Sequence, residues 1–174
     1  MDTKKKIMQE YINLSLEKRT TKISVRQLCD NIGISRTTFY KYFKDCSDII
    51  ENVFMEEVLE PMDALLKNGV EGHTVLENWY LGFYKNKDFY ILAIREDGQN
   101  SLFFTIVNTL TEYNKKIYGR VYSGDDLEYY SYKFAATQAM LMRKWLIEGM
   151  KVSHKKMAEY FFNSDLFDGR VNIF

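Results

Sequence analysis

Apolar side chains recur at three- and four-residue intervals along most of the chain, and proline interrupts them only once, at Pro61. Strand-like alternation between turn signals is hard to find, so the periodicity predicts an all-α fold. A first helix is expected over about 4–16, with Ile7, Tyr11 and Leu14 on one stripe. A short second helix follows Ile23, with Ser24 as its cap, burying Leu28 and Cys29 and ending near Asn31. Gly33 in "NIGIS" can take the left-handed backbone that a tight interhelical turn requires. Another short helix starts behind Ser35, and a long one starts at Asp45 or Ser47 with Ile49, Ile50, Val53, Phe54, Val58 and Leu59 as its apolar set. Pro61 should kink or end that helix, since proline removes an N–H and crowds the preceding turn. Beyond the loop "KNGVEGHT", helices are expected at about 74–86, 88–95, 100–119, 126–149 and 153–163, with Asp125 or Asp126 capping the fourth of these.

The stretch "ISRTTFYKYF", residues 34–43, divides into faces at helical spacing. Phe39 and Phe43 share one, Thr37 and Lys41 a second, Arg36 and Tyr40 a third. The two aromatic rings can hold the helix down while its polar edge stays free for a partner. Two short helices joined by a glycine-containing turn have the form of a helix-turn-helix, whose second helix enters the DNA major groove. Arg36 has the fork that pairs with guanine, and Thr37 and Thr38 are short enough to meet a thymine methyl or a phosphate. Tyr40, Lys41 and Lys44 suit phosphate contacts, and Arg26 can approach from the preceding helix. Ser35 and these residues make up the expected DNA-facing set.

Charge distribution fits that placement. The formal net charge is zero, yet residues 1–50 hold ten Lys/Arg against six Asp/Glu and residues 51–174 hold fourteen against eighteen. A basic N-terminal module on an acidic body is therefore expected, and "KKK" at 4–6 can follow DNA phosphates. With 46% apolar residues the chain can build a real core. Cys29 and Cys46 are too few and too far apart for a disulfide framework or a metal site, and two histidines distant from both suggest no catalytic dyad. No cofactor is expected. The absence of a signal-peptide pattern or a long apolar run points to a cytoplasmic protein with no membrane partner.

From Ile23 to Ile50 the sequence resembles the DNA-binding domain of the TetR family of bacterial transcriptional regulators. The resemblance rests on Leu28-Cys29, on Gly33-Ile34-Ser35, on Thr38-Phe39-Tyr40 and on Phe43, followed by a charged run into a long helix. It covers about the first 55 residues, and "MLMRKWLIEGMKVSHKKMAEYF" is similar to the tail of one branch of the family. It implies a helix-turn-helix domain at 1–46 and an all-α ligand-sensing and dimerisation domain at 47–174. It also implies that Tyr40 contacts a phosphate and that Tyr42 occupies a DNA-facing position. One residue departs from the pattern: Cys46 stands where the family commonly places a lysine, and cysteine cannot make that charged contact.

A homodimer on a double-stranded palindromic operator, responding as a repressor to a small amphipathic or apolar effector, is the function so implied. The aromatic residues Trp79, Phe83, Tyr84, Phe103, Tyr113, Tyr130 and Phe134 are candidates for an effector pocket. Met140, Leu141, Trp145 and Leu146 are candidates for the dimer interface. The competing readings are a small all-α ligand-binding protein and an adaptor that turns its helix-turn-helix to a protein. No nucleophile–base pair, metal set or phosphate loop supports an enzyme.

Overall fold

The computed structural model describes residues 2–98 and 101–162. They form ten α-helices and one π-helical segment, with no strand among the described residues. The fold is all-α.

Helix α1 (Thr3–Lys18) buries Ile7, Tyr11 and Leu14. Helix α2 (Val25–Ile32) opens with a reciprocal cap: Ser24 accepts from the Gln27 N–H and the Gln27 side chain accepts from the Ser24 N–H, each at 3.2 Å. Its inward residues are Leu28 and Cys29. Gly33 stops it at φ +75°, and the N–H groups of Gly33 and Ile34 both return to the Cys29 carbonyl, at 2.9 and 3.1 Å. Only glycine adopts that conformation without strain. Helix α3 spans Arg36–Tyr40, shorter than the apolar pattern suggests, because the next turn winds more tightly through Lys41 and Tyr42. Phe39 and Phe43 are buried, with ring centroids 5.8 Å apart.

Helix α4 (Cys46–Phe54) is capped by Asp45, whose side chain accepts from the Asp48 N–H at 2.9 Å. It runs without a break through the π-helical segment (Met55–Leu59) into α5 (Glu60–Lys67). Pro61 thus does not end the helix; it lies in the first turn of α5, which continues directly from the π segment. The Glu57 carbonyl, four residues back, has no N–H from Pro61 to accept. The π turn, with the Glu60 N–H bonded five residues back to Met55, is where the helical ladder absorbs that loss. Against this turn lies Gly82, at the end of α6 (Gly72–Gly82). A Cβ there would sit 2.8 Å from the Glu57 carbonyl oxygen and 3.0 Å from Val58 Cα, so the two helix backbones touch.

Helix α7 (Lys87–Ala93) reaches α1 through Phe89, which meets Tyr11 edge-on at 6.1 Å. Helices α8 (Leu102–Tyr118) and α9 (Gly124–Ile147) pack against each other along their length, and α10 (His154–Phe162) lies on α6. Asp125 and Asp126 fall in the first turn of α9, where they favour the positive end of the helix, and Ser123 precedes it as the cap position. The expected bounds at 100 and 163 lie outside the described residues. A continuous core runs from α1 to α10. At its centre Phe83 meets Phe54, Trp79, Tyr90 and Trp145, with ring centroids 4.9–6.4 Å away.

Candidate nucleic-acid interface

The opening of α3 is built from its own hydroxyls. Ser35 Oγ accepts from the Thr38 N–H at 3.0 Å and pairs with Thr38 Oγ1 at 2.9 Å. These two groups are therefore occupied in positioning the helix start. Arg36, Thr37, Tyr40, Lys41 and Tyr42 remain exposed on the same element, Tyr40 at 57% and Tyr42 at 40%. Tyr40 leans edge-on against buried Phe39, with centroids 5.3 Å apart, so its ring is steadied while its hydroxyl stays in solvent. Arg26, one helix earlier, is exposed and pairs with Asp30 at 3.6 Å; an ion pair this open holds its guanidinium only weakly. Of the expected DNA-facing residues, all but half-buried Thr38 are exposed on α2, α3 and the segments that flank α3.

The residues around Cys46 differ in character. Lys44 is exposed, and its N–H donates to Asp48 Oδ2 at 2.8 Å, closing a second bond around the Asp45 cap. Cys46 is half-buried, and burial together with Asp45 and Cys29 pushes its thiol up to about 11. Burial also raises Cys29. Both shifts run away from the thiolate that redox sensing needs. Of the N-terminal lysines, Lys4 is paired with Glu56 across to the π segment at 3.2 Å, while Lys5 and Lys6 are exposed.

Next to Glu56 is a polar cluster that the sequence does not announce. Glu57 accepts from Asn86 Nδ2 at 2.6 Å and from the Tyr90 hydroxyl at 2.9 Å, and burial raises its carboxyl above the ordinary range. The cluster ties the linking helix to the start of α7.

A cavity of about 90 Å³ lies among α5, α6, α8, α9 and α10. Trp79 and Tyr113 line it, as expected from the sequence. Phe83 belongs to the aromatic core instead, and Tyr84 packs on Trp145 and His154. Phe103 lies beneath Arg143, Tyr130 stacks on Tyr122, and Phe134 lies against Tyr118. The cavity also takes in Met62, Tyr80, Asn114, Tyr118 and Gln138. None of these carried a signal beyond its place in a helical repeat.

Of the expected interface residues, Met140 is 55% exposed and Leu141 half-buried. Trp145 and Leu146 face inward within the protomer, and Trp145 Nε1 donates to the Val152 carbonyl at 2.7 Å. The outer face of α9 instead shows Tyr129, Tyr132 and Ile147 beside Met140. The first half of its inner face is formed by small residues, Ser131, Ala135 and Ala139, and the second half by Met142, Trp145 and Leu146.

An N-terminal helix-turn-helix on an all-α body defines a DNA-binding transcriptional regulator rather than an enzyme. Residues 73–164, over half of the chain, match the family model for the TetR-type transcriptional regulator C-terminal region, and residues 4–45 match that for the helix-turn-helix domain of resolvase. The chain belongs to the TetR family of transcriptional regulators. A solved structure assigned to that family, from Syntrophomonas wolfei str. Goettingen, superposes with a TM-score of 0.69 at 19% identity, covering 98% of this chain and 97% of that one. The fatty acid degradation regulator FadR from Bacillus halodurans superposes with a TM-score of 0.57 at 14% identity, over 99% of each chain. At these identities the likeness is one of fold. No curated protein matches the chain. Among the described residues no helix is long and apolar enough to cross a membrane.

Proposed function

We propose that this regulator is a ligand-responsive repressor that binds a palindromic operator as a homodimer in the cytoplasm. One observation carries the reading: α3 is fixed by buried Phe39 and Phe43 while Arg36, Thr37, Tyr40 and Lys41 stand free on its outer side. Arg36 and Thr37 read base edges. Tyr40, Lys41, Tyr42 and Lys44 hold phosphates, with Arg26 at the flank. Ser35 and Thr38 serve chiefly by fixing the start of the helix. Lys44 supplies the charge that Cys46 lacks.

One short recognition helix reads only a few base pairs, so two related by a two-fold axis, about 34–36 Å apart, are needed for a specific site. The exposed Tyr129, Tyr132, Met140 and Ile147 on α9 support a pairing surface there. Residues 1–46 form the reading head and 47–174 the sensing and pairing body. The helix from Cys46 to Lys67 belongs to both: α4 packs on α1, and α5 forms part of the cavity wall through Met62 and Leu66. An effector in the cavity that binds better to the spacing unfit for DNA shifts the population away from the operator. Gel shift of an operator fragment with and without effector tests the switch. Release is expected, and equal affinity in both conditions refutes it.

A further inference from the structure

The chemistry of the cavity narrows what can enter it. Its described lining residues include no Lys, Arg, His, Asp or Glu, so an ion would lose its hydration without gaining a counter-charge. The polar groups are few. Tyr113 is committed, since its hydroxyl donates to Asp63. The Asn114 amide nitrogen donates to the Ser131 carbonyl at 3.1 Å. Tyr80, Tyr118 and the half-buried Gln138 remain. The two tyrosines are 1% and 2% exposed and line the cavity, and neither hydroxyl is among the fully enclosed unpartnered atoms of the described residues, so each opens onto the cavity. A molecule that fills the cavity must offer these hydroxyls an acceptor or leave them unpaired, which costs free energy. Burial pushes both phenols above their ordinary range, which keeps them neutral O–H donors.

Two neutral phenol donors beside the Gln138 amide, in an otherwise apolar and uncharged space, suit an uncharged molecule that carries an acceptor. We propose that the effector is a small, uncharged, mostly hydrocarbon molecule carrying a carbonyl-type acceptor, which Tyr80 and Tyr118 hold by hydrogen bonds. The proposal rests on the effector reading above and names its chemical class. The volume of about 90 Å³ is well below the roughly 300–1,000 Å³ of drug-sized sites, so a short ketone is the fitting probe.

The test is calorimetric titration of the full-length protein with 2-butanone, set against 2-methyl-1-butene, in which a CH₂ group replaces the oxygen, and against sec-butylammonium and propionate. The ketone is expected to bind at least about tenfold more tightly than the hydrocarbon or either ion, in line with one to two net hydrogen bonds. Tyr80→Phe and Tyr118→Phe should each weaken the ketone by about three- to tenfold and leave the hydrocarbon unchanged. Equal binding of ketone and hydrocarbon, tighter binding of an ion, or indifference to both substitutions overturns the proposal, as does failure of the ketone to bind. The ligand comparison uses the unaltered protein, so it stands even if a variant fails to fold. Ketone binding with no change in operator affinity would sink the switch but not the ligand class. Release by some other compound, with no ketone binding, would sink the class but not the switch.

Discussion

Arg36 and Lys41 stand at opposite ends of one short helix and are expected to do different work. An arginine that pairs with guanine discriminates between bases, at about 1–3 kcal/mol for a good bidentate contact. Arg36→Ala should therefore weaken the operator by roughly ten- to a hundredfold while random duplex binds nearly as before. Lys41→Ala should weaken every duplex alike and reduce the slope of log affinity against log salt by about one. Fluorescence anisotropy over a salt series separates the two. Much at this scale was legible from residue types, because the four-residue spacing of Phe39 and Phe43 fixes which way Arg36 and Tyr40 point. The sequence did not reveal that the Ser35 and Thr38 hydroxyls engage each other, leaving Thr37 as the freer threonine. Pocket residues were harder still. A tyrosine at a helical position is compatible with core, cavity or surface, and the sequence does not say that Phe83 lies among four other rings while its neighbour Tyr80 borders open space.

Among the elements, the linking helix shows how far a single residue signals structure. Pro61 announces a disturbance, yet the disturbance lies one turn earlier, in the π segment, because the carbonyl that Pro61 has no N–H to serve belongs to Glu57. Nothing in "MEEVLEP" states that Gly82 packs onto that turn. Gly82→Ala would place a methyl 2.8 Å from the Glu57 carbonyl oxygen, so α6 must move away; a loss of about 1–3 kcal/mol in urea denaturation is expected. The Glu57 side chain makes a second prediction. Burial raises its folded carboxyl above the ordinary glutamate range, so the folded state holds its proton more tightly than the unfolded chain does. Its contribution to stability is complete below about pH 4.5 and is lost as pH rises through the raised folded value. Glu57→Gln removes that loss and can still bond Asn86 and Tyr90. The melting temperature of this variant relative to the parent should rise steadily from pH 4 towards neutrality, and a difference independent of pH would exclude the assignment. Helix α9 misleads for another reason. In its first half the buried face is made of Ser131, Ala135 and Ala139 and the exposed face carries Tyr129 and Tyr132, so the rule that large apolar side chains point inward fails there, whereas Met142, Trp145 and Leu146 obey it in the second half. Trp145 and Leu146, expected at an interface, turn inward instead.

At the scale of the whole molecule, the all-α class followed from periodicity alone, whereas the proposed pairing of two chains rests on an exposed face of α9 that only the folded protomer displays. The continuous core from α1 to α10 couples the reading head to the body, and Lys4–Glu56 and Tyr11–Phe89 fasten the same junction from two sides. A change of tilt in the linking helix should therefore move α3 as a unit. The most direct test recovers genomic fragments retained by the purified protein, then measures its affinity and stoichiometry on the recovered site and on the same duplex with one half-site scrambled. Two protomers per intact site are expected, with affinity at least ~10³-fold above random duplex and most of that preference lost on scrambling. Binding of one protomer with equal affinity for the intact, scrambled and random duplexes would contradict the reading of α3 as the paired recognition helix of an operator-binding dimer.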